Sequence, residues 1–279
     1  MSPIVAVIAP GAMGAAVGGR LVEHGLAVHT VLAGRSQASV ARAAAAGMQS
    51  VDLAQIAAAD IILSIVPPGD AMSLAETLAP LIARADHKPL YADCNAVSPQ
   101  TVERIGRVVA GSGARFVDAG IIGGPPRPGT PGPVFYTAGP DAPALDVLAR
   151  HGLRITDLHG EVGAASGLKM SYAGITKGFT ALGAAMMLAA TRFGAAPSLA
   201  AELATSQPEL LAWLRRQMPA MYSKAYRWVA EMDEIAAFAG EDTPSYDIYA
   251  GIADLYDRIA ADEAGPRADV DTLDAFLRQ

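Results

Sequence analysis

Residues 8–14 read IAPGAMG, a short apolar run that meets an Ala-rich amphipathic stretch at two glycines three positions apart. In a dinucleotide-binding turn each of three glycines has its own role, the first making the tight turn, the second admitting the pyrophosphate and the third letting helix and strand pack closely. Gly11 and Gly14 hold the second and third posts. Ala9 holds the first, where Pro10 biases it toward extended backbone that alanine tolerates. A helix starting here offers the N–H groups of Gly11, Ala12, Met13 and Gly14, and a partial positive charge, to a phosphate. About twenty residues later a second apolar run ends in LAGRS, where an NAD site places an acid on the ribose hydroxyls. This chain has Arg35 and Ser36 there and no acid. A guanidinium beside a hydroxyl suits the 2′-phosphate of NADP better than the bare ribose of NAD. Val66-Pro67-Pro68 and Asp93-Cys94-Asn95 close two more apolar runs. Ligands of parallel sheets bind beyond such strand ends, so Val66, Pro67 and Asn95 are candidate cofactor contacts. The Asn95 amide can serve a carboxamide or a substrate carboxylate.

These groups need a sheet to carry them. Strands are expected at 4–9, 26–33, 60–66, 89–94, 114–120, 133–139 and 153–158, with helices between, such as 12–25 and 36–46. Ser98 is the expected N-cap of a helix with Pro99 in its first turn. Strand–helix alternation implies a Rossmann-type, doubly wound, mainly parallel sheet. From Gly163 onward only helical periodicity remains, with breaks expected near Gly194–Pro197, Pro208, Pro219 and Gly240–Pro244. The chain is therefore α/β followed by an all-α domain, divided as 1–160 and 161–279. GGPPRPGTPGP (123–133) is too rich in Pro and Gly for a helix or a central strand.

Composition narrows the function. The net charge of −7 gives no broad basic field for nucleic acid. The single cysteine, Cys94, excludes an intramolecular disulfide framework, and the five histidines show no metal-ligand spacing. The apolar run near the first residue lacks a preceding basic segment, so no signal peptide is read. The longest low-charge stretch, Gly178 to Thr191, falls short of the roughly 20 residues that span a bilayer. A cytoplasmic protein without a membrane partner is expected.

GAMG (11–14), VPP (66–68), DCNAVSP (93–99), DAGIIGG (118–124) and GAASGLKMSYA (163–173), in that order, resemble the β-hydroxyacid dehydrogenases related to 6-phosphogluconate dehydrogenase. The helical second half, with RWVAEMDE (227–234), looks closest to a less-characterised branch whose C-terminal domain differs. The resemblance implies Lys169 as the general acid/base and Gly123 and Gly124 as substrate-binding glycines. It also implies hydride exchange with a small hydroxy acid, expected to be anionic; the apolar helical domain separately suggests a homodimer or, equally, a monomer's core. Lysine at the start of an Ala/Gly-lined helix is chemically suited to the acid/base role. Partial desolvation favours its neutral form, while a nearby NADP phosphate or substrate carboxylate favours the charged one, and the sequence leaves the balance open. Two positions depart from the family. Its asparagine four residues after the lysine is Ala173 here, with Tyr172 or Thr176 as neighbouring substitutes. Its serine before the paired glycines is Ile122, with Arg127 in the adjoining loop as the compensating donor. Both changes leave room for an NADPH-dependent imine or ketone reductase, and a non-catalytic NADP-binding protein is the third reading. Leu182, Met186 and Met187 are expected in a core or a subunit interface, Tyr222, Tyr226 and Trp228 as core anchors, and Glu231 in an exposed pair with Arg227.

Overall fold

The computed structural model describes residues 2–279. It divides into two compact units, Met1–Met170 and Ser171–Gln279. The division lies ten residues beyond the expected boundary, inside one helix whose first turns pack within the first unit.

The first unit is built on an eight-stranded sheet: β1 (Val5–Ile8), β2 (Val28–Thr30), β3 (Gln49–Ser50), β4 (Ile61–Ser64), β5 (Leu90–Asp93), β6 (Arg115–Ile122), β7 (Val134–Ala138) and β8 (Arg154–Asp157). Its order is β3-β2-β1-β4-β5-β6-β7-β8. All neighbours are parallel except β6 and β7. Helices α1 (Ala12–Glu23), α2 (Gln37–Ala45), α3 (Leu53–Ala57), α4 (Ala71–Arg84) and α5 (Pro99–Gly111) make the crossovers. Alternate residues of the central strands serve two cores. Val5, Val7, Ile61, Leu63, Leu90 and Ala92 pack in one, and Ala6, Ile8, Ile62 and Tyr91 in the other. That two-sided burial explains why these strands read as continuous apolar runs. Ser98 caps α5 as expected, accepting from the Thr101 N–H at 3.3 Å. β2 is shorter than its apolar run because the Arg35 N–H donates to the Leu32 carbonyl (3.0 Å) and turns the chain. Register pairs Ile8 with Ser64, Ser64 with Asp93, and Asp93 with Asp118. The carboxyl ends of β1, β4 and β5 thus lie level, beside Asp118 midway along the longer β6, and Ser64, Asp93 and Asp118 form a row of buried polar groups.

Helix α6 (Ala164–Arg192) begins in the first unit, and its later turns belong to the second. It runs unbroken through Lys169 and Lys177, and by length and composition it is long and apolar enough to cross a membrane. The shorter stretch read from the sequence therefore underestimates it. The second unit adds α7 (Ala196–Ser206), α8 (Pro208–Tyr222), α9 (Ala225–Ala239), α10 (Pro244–Ala264) and α11 (Ala268–Leu277). Pro219 lies inside α8 and does not break it. The flanking Met218 and Met221 are fully buried and offset the hydrogen bond the proline removes, so the helix stops only at Tyr222.

Glu231 pairs with Lys177 rather than with Arg227, because it lies on the buried face of α9 beside Met232 and Ile235. The Lys177 ammonium also sits 4.8 Å from the centre of the Trp228 ring, and the Tyr256 hydroxyl donates to the Lys177 carbonyl at 2.6 Å. Tyr222 is buried, but Tyr226 is 66% exposed and anchors no core. Leu182 and Met186 are exposed, whereas Met187 is buried. Removing one member of a buried ion pair strands the other. Glu231→Ala should therefore lower stability by about 3–5 kcal/mol, and Lys177→Met with Glu231→Leu should recover most of that loss. Urea unfolding followed by circular dichroism checks both; equal losses would show that the pair is not the source.

Candidate active site

The glycine turn has the geometry a pyrophosphate needs. A Cβ on Gly11 would meet nothing within 4 Å, whereas one on Gly14 would lie 2.0 Å from the Ala9 carbonyl oxygen. Gly14 therefore provides the close packing and Gly11 leaves the approach open. The Ala9 carbonyl accepts from the Gly11 N–H at 2.8 Å. No side chain caps α1 and no acid lies in its first turn, so the N–H groups of Ala12 and Met13 are not claimed by a cap. These features fit a bound nucleotide phosphate.

Arg35 and Ser36 are exposed at the end of the second strand segment. Ser36 is also the N-cap of α2, accepting from the Ser39 N–H at 3.3 Å. Sequence reasoning missed Arg42. Its Nε donates to the Pro10 carbonyl at 3.2 Å and its Nη2 to Ser39 Oγ at 2.9 Å, joining α2 to the phosphate turn. The 36, 39, 42 spacing on one helix was the available signal.

Asn95 does different work from that expected. Its Oδ1 accepts from the Val66 N–H at 2.7 Å, and its Nδ2 donates to Ser64 Oγ and Asp93 Oδ2, each at 2.9 Å. With both amide hydrogens committed and the residue 3% exposed, Asn95 moves from direct ligand contact to shaping the Val66–Pro67 loop. Val66 is half-buried and Pro67 exposed on that loop. Burial holds the neighbouring Cys94 thiol well above its ordinary pKa, which keeps it protonated and a poor nucleophile.

Lys169 lies in the second turn of α6, and its Nζ donates to the Ile121 carbonyl at 2.6 Å. It is half-buried, and Gly123 and Gly124 follow Ile122 at the exit of β6. Gly123 has φ +123°, and a Cβ on Gly124 would meet nothing within 4 Å. The lysine is thus anchored on the carbonyl two residues before the paired glycines. Arg127 is exposed on the following loop, and Arg20 Nη2 donates to its carbonyl at 3.0 Å and to that of Thr130 at 3.2 Å. Arg20, also missed from the sequence, ties this loop to α1. Tyr172 lies three residues beyond Lys169, in the second unit, and is 51% exposed. The Thr176 hydroxyl is turned back onto the Tyr172 carbonyl at 2.9 Å and is therefore a weak substitute for the missing asparagine.

What fixes α6 at this place is Asp118. Its Oδ2 accepts from the N–H groups of Gly163 (2.8 Å), Ala165 (3.0 Å) and Ser166 (3.1 Å), and its Oδ1 accepts from the Ser166 hydroxyl (2.7 Å). Burial raises the carboxyl above its ordinary value of 3.8, and these hydrogen bonds pull it part of the way back. In the window above 3.8 the native state keeps a proton that the unfolded chain has lost, so stability falls as pH rises through it. Asp118→Asn lacks that slope. Its urea midpoint should gain on wild type as pH rises through the window and keep a constant difference below it. A pH-independent difference would show an unperturbed carboxyl.

The family model for the NAD-binding domain of 6-phosphogluconate dehydrogenase matches residues 4–149. A second model, a domain of unknown function (DUF1932), matches residues 190–259. The chain belongs to the first family, and its first unit is an NAD(P)-binding domain of oxidoreductase type. No functionally curated protein matches it. Among solved structures it is similar to the conserved protein MTH1747, of unknown function, whose description notes similarity to 3-hydroxyacid dehydrogenases. Identity is 27% over 92% of this chain and 97% of that one, with a TM-score of 0.70. It shares its fold with 3-hydroxyisobutyrate dehydrogenase of Mycobacterium tuberculosis, solved with L-serine, at 21% identity, 98% and 99% coverage and a TM-score of 0.71. It also shares it with an imine reductase of Myxococcus stipitatus in complex with NADP+, at 18% identity, 94% and 95% coverage and a TM-score of 0.54.

Proposed function

We propose that the chain exchanges hydride between NADP(H) and a small anionic hydroxy acid or its keto form, with Lys169 moving the accompanying proton. The observation that carries this reading is the Lys169 amine held 2.6 Å from the Ile121 carbonyl, on the strand that leads into the paired glycines. A bound nicotinamide supplies the two-electron acceptor or donor. Neutral Lys169 takes the hydroxyl proton as the substrate carbon is oxidised, and the ammonium returns it to the carbonyl oxygen on reduction. Backbone N–H groups at Gly123 and Gly124, with the Arg127 guanidinium, recognise the substrate's anionic group. Gly11 to Gly14 hold the pyrophosphate, and Arg35 and Ser36 the 2′-phosphate. The absence of an acid after β2 supports NADP over NAD.

A second reading, reduction of an imine or ketone, draws on Ile122 and Ala173, which remove the hydroxyl and amide that the hydroxyacid enzymes commonly present. Nicotinamide absorbance followed against hydroxy acids with NADP+, and against ketones and cyclic imines with NADPH, separates the two. Lys169→Ala should lower turnover on the active panel by about 10²–10⁴-fold while leaving NADPH affinity unchanged. Arg35→Ala should weaken NADPH binding by about 10–100-fold and spare NADH, measured by nucleotide fluorescence. Unaltered turnover in the first variant would end the proton-transfer assignment. Tight NADPH binding with silent panels would favour a binding protein.

A homodimer belongs to the same proposal. Tyr172, Ile175, Phe179, Leu182 and Met186 are each more than half exposed along α6. Their alternating spacing of three and four is that of a helix seam meeting another helix. This assigns the apolar length of α6 to a second copy rather than to a bilayer, consistent with the ion-paired Lys177 in its middle. Sedimentation should give a dimer for the wild type and a monomer for Phe179→Glu with Leu182→Glu; unchanged mass in the variant would reject this seam.

A further inference from the structure

We infer that Asp118 is the positioning residue for Lys169, setting the register of α6 on β6 so that the amine reaches the Ile121 carbonyl. The inference rests on the proton-transfer reading for its functional meaning, but its geometry stands without it.

The start of a helix leaves N–H groups without partners inside the helix, and a serine or threonine cap satisfies one of them. Asp118 satisfies three with one oxygen, those of Gly163, Ala165 and Ser166, and engages the Ser166 hydroxyl with the other. It comes from β6, 45 residues before the first of its partners, so it fixes a long-range register rather than a local turn. Gly120, two residues along the same strand, completes the contact. A Cβ there would lie 2.7 Å from the Ala165 carbonyl oxygen and 3.2 Å from Lys169 Cβ. Ile121, the next residue, receives the Lys169 Nζ. Strand residues 118, 120 and 121 therefore fix helix residues 163–166 and 169 in one continuous contact. A translation of α6 by one residue, about 1.5 Å, would break the carboxylate bonds and the amine contact together.

Asp118 also differs from a simple cap in having an isosteric replacement. In Asp118→Asn the amide oxygen can accept from the three N–H groups while its NH2 donates to Ser166 Oγ, so the register survives without charge. Asp118→Ala keeps no acceptor. Gly120→Ala perturbs the same register from the other side and leaves the carboxylate in place.

The test measures the accessibility of Lys169 to trinitrobenzenesulfonate by peptide mass spectrometry in the full-length protein, with exposed Lys224 as the internal reference. Thermal melts and NADPH binding are recorded on the same samples. Asp118→Ala and Gly120→Ala should each raise the Lys169 to Lys224 labelling ratio by about tenfold, the equivalent of about 1.4 kcal/mol. Asp118→Asn should restore the wild-type ratio. On whichever substrate panel is active, the first two variants should lose kcat with little change in KM. Should Asp118→Ala fail to fold, Gly120→Ala and the asparagine variant still decide the matter. A folded Asp118→Ala, or Gly120→Ala, with the wild-type labelling ratio would overturn the proposal, as would an asparagine variant as perturbed as the alanine one. Turnover that survives Lys169→Ala would instead reject the proton-transfer reading and leave the labelling result intact.

Discussion

The Asp118 carboxylate against the first turn of α6 is the interaction on which the rest of the site depends. It is a costly way to hold a helix, because burial opposes its ionisation and the four hydrogen bonds only partly compensate. A hydroxyl cap would hold one N–H group; the carboxylate holds three and a hydroxyl, from a different strand. The fold gives up stability at this point and gains a defined place for the Lys169 amine. Gly14 against the Ala9 carbonyl and Gly120 against the Ala165 carbonyl follow one logic. Each lets a helix come closer to a strand than any side chain would permit. The first approach sets the phosphate turn and the second sets the lysine.

The row formed by Ser64, Asp93 and Asp118 links those two places. The carboxyl ends of β4 and β5 are in register with Asp118, midway along β6, and all three positions carry a buried polar group. Asn95 bridges two of them and carries the Val66 loop, while Asp118 carries α6. Polar groups buried beneath a site shape it by orienting the backbone that faces the ligand. The helical unit uses its buried ion pair differently, fastening the middle of α6 to α9 through Lys177, Glu231 and Trp228.

Much of this was legible in the sequence where the signal is local. Continuous apolar runs marked the parallel strands, Ser98-Pro99 marked the start of α5, and GAMG marked the phosphate turn. The lysine and the glycine pair became legible only through the order of several motifs. Long-range partners were not legible. Nothing near Asp118 announces an acceptor for amides 45 residues onward, and nothing near Glu231 announces Lys177. Local spacing instead suggested Arg227, a helical neighbour that the burial of Glu231 overrides. Pro219 misled for a related reason, since burial on either side of it outweighs a local breaking tendency. Asn95 was placed correctly at a strand end, but its donors are taken by groups that only the folded sheet brings near.

Amide hydrogen exchange at Gly163, Ala165 and Ser166, followed by NMR on the full-length protein, tests the Asp118 clamp most directly. First-turn amides of a helix have no acceptor within the helix and ordinarily exchange quickly. The uncapped first turn of α7 provides the comparison. If Asp118 holds α6 as described, these three amides are protected to the level of the β6 strand amides. Exchange as fast as in the first turn of α7 would contradict the account, because the carboxylate would not be holding the helix that carries Lys169.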